Sequence, residues 1–100
     1  MLALSGCVPV SSTGIYNTAV DLTVPSTKSS KDFALCAAGA FDGNNPVTND
    51  GDHYWVTRLS LQGTPFARWD FLPTPTGSVA QLRSVLVAGT PGTGIVRKCA

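Results

Sequence analysis

Three cysteines, Cys7, Cys36 and Cys99, set the tightest limit on what this 100-residue chain can become. A chain of this length holds one hydrophobic core and buries too little apolar surface to be comfortable without a staple. An odd number of thiols leaves one unpaired if the protein matures in an oxidising compartment. A metal staple built from several His and Cys ligands is excluded by count, because His53 is the only histidine. No cofactor motif stands out either, so the expectation is a domain without metal or cofactor.

Composition removes further classes. Charged residues make up only 13% of the chain, Glu is absent, and the formal net charge is +1. Nucleic-acid binding needs a concentrated basic field, and the longest basic run is Arg97-Lys98. A hydrophobic content of 43% is that of a globular protein, not a disordered one. Ser, Thr, Gly and Asn carry most of the polarity, which suits a β-rich exported protein.

The segment Leu4-Ser5-Gly6-Cys7 resembles the bacterial lipobox, in which an aliphatic residue and two small residues precede the cysteine that is lipidated. The resemblance implies cleavage before Cys7 and attachment of a diacylglyceryl group to its thiol. Only six residues precede Cys7 and none is basic, so residues 1–6 read as the remnant of a signal peptide. Residues 7–18, rich in Ser, Thr and Gly after Cys7, read as a lipidated cysteine with a flexible tether, and 19–100 as a single domain. With Cys7 acylated, Cys36 and Cys99 remain as a pair, and a Cys36–Cys99 disulfide is expected. No stretch approaches the roughly 18 apolar residues of a membrane span, so the membrane partner is reached through the lipid on Cys7 alone.

Residues 19–24 alternate apolar and polar (Val20, Leu22 and Val24 against Asp21 and Thr23) and predict a half-buried strand ended by Pro25. Ser29 and Asp32 form a Ser-x-x-Asp start signal for a helix. Phe33, Cys36, Ala37 and Ala40 then share one helical face up to about Phe41. Asp42 to Asp52 reads as a long turn-rich loop. A hairpin follows over 54–61 and 66–72, turning at Gly63-Thr64-Pro65; a further strand spans 78–87, and 95–99 is a short strand or helical turn. The order strand, helix, meander predicts an α+β fold, one helix packed on a small antiparallel sheet. Its expected core is Trp55, Leu59, Trp69 and Phe71 beneath Phe33 and Ala37.

Together these features resemble a group of short Gram-negative envelope lipoproteins with a lipobox, a cysteine in the first helix, a Gly-Ser start to a late strand, and a C-terminal cysteine. Here those residues are Cys7, Cys36, Gly77-Ser78 and Cys99. The group has no established activity, so the resemblance implies a place, the periplasmic side of a bacterial envelope membrane, and an architecture, but no reaction.

Four constellations bear on chemistry. Gly89-Thr90-Pro91-Gly92-Thr93-Gly94 is glycine-rich, but Ile95 and Val96 stand where a phosphate loop needs Lys and Ser or Thr. Asp42, Asn44, Asn49, Asp50 and Asp52 offer oxygens, but Pro46 and Val47 break a calcium-loop pattern, and these are also the residues that turns demand. His53 beside Asp52 suggests a dyad, yet no nucleophile sits in a recognisable elbow. Arg58, Arg68 and Arg83 fall on the solvent side of adjacent strands with Asp70. They read either as cross-strand ion pairs or as a face that binds an envelope protein or an anionic ligand.

The sequence therefore points to a non-enzymatic interaction or structural module, exported and lipid-anchored. The alternative is a small periplasmic hydrolase or ligand-binding enzyme using His53 and the acids of the 42–52 loop.

Overall fold

A computed structural model describes residues 12–41, 45–84 and 92–100. The lipobox with Cys7, the first part of the tether, Asp42 to Asn44, the expected strand beyond Ser84 and Gly89 to Pro91 lie outside the described residues. Three helices, α1 (Ser12–Tyr16), α2 (Ser30–Ala40) and α3 (Thr93–Cys99), accompany five strands. The strands are β1 (Leu22–Ser26), β2 (Val47–Asp50), β3 (His53–Leu59), β4 (Pro65–Thr74) and β5 (Gly77–Ser84), and they form one antiparallel sheet in the order β1-β5-β4-β3-β2.

This is the expected α+β architecture: one principal helix lies on an antiparallel sheet and a Cys36–Cys99 disulfide closes it. The Cα atoms of the two cysteines stand 5.8 Å apart, inside the range a bridge requires. α2 begins as its sequence signal predicts, with the Asp32 N–H donating to the Ser29 hydroxyl at 3.1 Å. Its buried stripe is Ser30, Phe33, Ala34 and Ala37. Cys36 lies on the flank of that stripe, where it meets α3 rather than the sheet. The C-terminal segment is also tied to β1 and the turn after it. Lys28 Nζ donates to the Cys99 carbonyl at 2.5 Å, and Ser26 Oγ donates to the Ala100 carbonyl at 3.0 Å.

Register corrects the expected core. β3 and β4 pair Tyr54 with Phe71, Val56 with Trp69 and Arg58 with Ala67. Residues opposite each other share a face, so Val56 joins Trp69, Phe71, Ala67, Ala80 and Leu82 beneath α2. Trp55 and Leu59 point to the other side. The expected core assumed that the two alternating apolar sets, Trp55-Leu59 and Trp69-Phe71, meet across the hairpin; pairing of odd with even positions puts them on opposite faces.

Three further differences follow from tertiary context. β1 runs through Pro25 because it is an edge strand, where proline is tolerated. β2 emerges from the turn-rich loop because Gly51, at φ +62°, closes a two-residue hairpin between Asp50 and His53. The expected tether contains α1, whose Ile15 is fully buried. The packed unit thus begins before residue 19 and has a small third layer, α1 on the sheet face opposite α2, against β4 and β5.

Candidate functional site

The sheet face covered by α1 is polar at its centre. Alternation along β4 puts Arg68 and Asp70 on this face, between the apolar residues Ala67, Trp69 and Phe71 that serve the α2 side. Asp70 is 0% exposed and Arg68 only 4%. Charged side chains are almost never so deeply placed unless paired. Here the pairing is a fork: Arg68 Nε donates to Asp70 Oδ1 at 2.9 Å and Nη2 to Oδ2 at 2.7 Å.

Two more groups converge on the same carboxylate. His53, at the start of β3, places Nε2 at 2.5 Å from Asp70 Oδ2. A carboxylate held by guanidinium groups accepts hydrogen bonds, so Nε2 is the protonated ring nitrogen. Arg83, across β4 on β5, brings Nη1 to 3.6 Å from Asp70 Oδ1, while its Nε donates to the Thr18 carbonyl at 3.2 Å. That Nη1 is buried and, among the described residues, makes no hydrogen bond. One carboxylate therefore faces two guanidinium groups and an imidazole.

Aromatic rings complete the site. The Arg68 guanidinium carbon is 4.3 Å from the Tyr16 ring centroid and 4.4 Å from that of Trp55. Tyr16 also takes Arg83 at 4.8 Å. The ring of His53 lies 5.0 Å from Trp55 and 5.9 Å from Tyr16. Cation–π contacts of this kind are worth roughly 0.5–2 kcal/mol each, more as water is excluded. α1 supplies that exclusion through Ile15 and Tyr16, and Thr18 extends it along the chain.

Of the expected arginine face, the structure brings Arg68 and Arg83 together and separates Arg58. Arg58 projects from the α2 side of β3, stacks at 4.3 Å over the ring of Phe41 and donates to Asn45 Oδ1 at 3.2 Å. Nor is the face open to solvent, since Arg68 lies beneath α1. The dyad expected between His53 and Asp52 is replaced. The Asp52 carbonyl accepts from Ser30 Oγ at 2.6 Å, and the acid on His53 is Asp70, 17 residues away. Among the described residues no serine, threonine or cysteine side chain hydrogen-bonds His53. The same residues hold no cluster of three His, Cys, Asp or Glu side chains fit for a metal.

Tyr16 and Trp55 had no place in the sequence reading of this site. The adjacent apolar pair Ile15-Tyr16 inside a Ser/Thr/Gly-rich run was the one available signal for the first. Alternation alone places Trp55 in the core, and its pairing with Asp70 puts it on this face instead. No family model, no curated protein and no solved structure matches the chain.

Proposed function

We propose that this chain is an extracytoplasmic, lipid-anchored interaction or structural module of a bacterial envelope, without a catalytic cycle of its own. The observation that carries the compartment is the Cys36–Cys99 bridge. Disulfides persist in the periplasm and other oxidising spaces and are rare in the cytosol. The lipobox-like Leu4-Ser5-Gly6-Cys7 supplies the anchor, and acylation of Cys7 accounts for the odd thiol. With α1 packed on the sheet, the spacer from Cys7 to Ser12 covers at most about 17 Å when fully extended. The folded unit would then stand close to its membrane, addressing partners at or near the lipid surface.

The module reading is favoured over the enzyme reading because His53, the candidate general base, is tied to a carboxylate already forked by Arg68 and, among the described residues, shares no hydrogen bond with a nucleophile. Expression of the full-length gene in a Gram-negative host tests the proposal. The expected product partitions with membranes and has a mass beginning at Cys7 with acyl chains added. A water-soluble chain that keeps its upstream residues and carries no lipid contradicts it.

A further inference from the structure

We propose that the face beneath α1 is a latent binding site for a phosphate-class oxyanion, with Arg83 as its principal ligand and α1 as its removable cover. The inference does not depend on lipidation at Cys7. Arg68 takes both oxygens of Asp70. Arg83 is left with a 3.6 Å approach to the same carboxylate, a carbonyl partner in Thr18, and a Tyr16 ring. Among the described residues no other carboxylate lies within ion-pair distance of Arg83. Counted over the described residues, Arg68, Arg83 and Asp70 carry one positive charge beyond the single negative one. The Arg83 side chain is nevertheless only 12% exposed, and among the described residues its Nη1 has no hydrogen-bond acceptor. With α1 closed, a buried cation with an unused donor is a costly arrangement that favours opening, and an oxyanion that then enters supplies both a countercharge and an acceptor. Guanidinium groups suit phosphate geometry, and a second guanidinium and an imidazole stand within the same cluster.

The cover is built to open. α1 has five residues, far below the length at which a helix holds itself together in water. Its contacts with the sheet side include the fully buried Ile15, Tyr16 across two guanidinium groups, and the Thr18 carbonyl just after it on Arg83. The α2 side, by contrast, keeps the main core and the disulfide intact when α1 lifts. Such an element opens locally, at a cost well below global unfolding. Lifting it uncovers Arg83, Arg68 and His53 with the Trp55 ring beside them.

Titration of inorganic phosphate at constant ionic strength tests the site. The full chain is used with Cys7→Ser, and the Arg side-chain N–H and Trp indole signals are followed by NMR. The Arg83 Nε–H and the Trp55 indole are expected to shift saturably, while Trp69, buried on the opposite face, stays still. Arg83→Gln should weaken binding at least about tenfold, the loss expected for a hydrogen bond to a charged group. Ile15→Ala, which loosens the cover, should tighten the apparent affinity, because less of the population is closed. Absence of a saturable Arg83 shift in the unsubstituted site, an Arg83→Gln chain that binds equally well, or weaker binding in Ile15→Ala overturns the proposal. Phosphatidylglycerol vesicles, with phosphatidylcholine vesicles as control, separate the sources. Sedimentation with the former that is lost in Arg83→Gln assigns a lipid headgroup. Phosphate binding without sedimentation assigns a soluble phosphate.

Discussion

Arg68 and Asp70, two residues apart on β4, form a two-pronged ion pair sealed between the sheet and α1. An i, i+2 pair on a strand shares a face, so the contact is local in origin. Its burial is not: α1 creates it from residues more than fifty positions upstream. Breaking a buried pair by removing one charge costs far more than the pair contributes as a whole.

Asp70→Asn is therefore expected to destabilise the fold by about 3–5 kcal/mol, because Arg68 and Arg83 lose their common counterion. Urea denaturation followed by Trp fluorescence measures it. A loss under about 1 kcal/mol would mean that water reaches the cluster freely.

Ile15→Ala asks whether α1 is structure or tether. Full burial of Ile15 predicts a loss of about 2 kcal/mol or more. The same substitution in a solvated tether changes almost nothing. Denaturant midpoints at unchanged slope give the answer.

The disulfide joins residues 63 apart, and the chain-entropy account assigns it about 4 kcal/mol. A Cys36→Ala/Cys99→Ala double variant should lose that amount, and reductant should bring the unaltered protein to the same midpoint. If both midpoints stay at the oxidised value, the bridge contributes no stability.

Two glycines should respond in opposite directions. Gly92 sits at φ +92° at the start of α3, and a Cβ there would collide with the Phe41 ring. Gly92→Ala should therefore cost about 1–3 kcal/mol in strain alone. Gly39, inside α2 with open space around its Cα, should accept alanine with a gain of about 0.5–1 kcal/mol. Thermal unfolding of both variants tests the pair, and a stabilised Gly92→Ala would refute the Phe41 contact.

Much of this molecule was legible one residue at a time. The Ser29-Asp32 cap signal, the apolar positions Phe33 and Ala37, and the alternation along β3, β4 and β5 express local periodicity, and the pairing of Cys36 with Cys99 was expected once the lipobox-like segment set Cys7 aside. Even the shared face of Arg68 and Asp70 follows from spacing on one strand. These features depend on neighbours in sequence, so a sequence reading recovers them.

Tertiary structure decided what depends on distant partners. Which side of β3 enters the core turns on whether odd positions meet odd or even ones across the hairpin. The settled register, with its irregularity between Arg58 and Leu59, sent Trp55 to the polar face and Val56 to the core. A five-residue helix has no periodic signal long enough to announce itself, and only docking on the sheet stabilises α1. The same docking turned arginines expected in solvent into a buried pair, Arg68 and Arg83, while strand register placed Arg58 on the α2 side. His53 found Asp70 rather than Asp52 because adjacent antiparallel strands bring positions 53 and 70 together, whereas the Asp52 carbonyl is bonded to Ser30 at the start of α2. Local spacing set the elements and their staple, while strand register and the packing of α1 set the chemistry of the site, because only they bring polar groups from β3, β4 and β5 together around the buried Asp70.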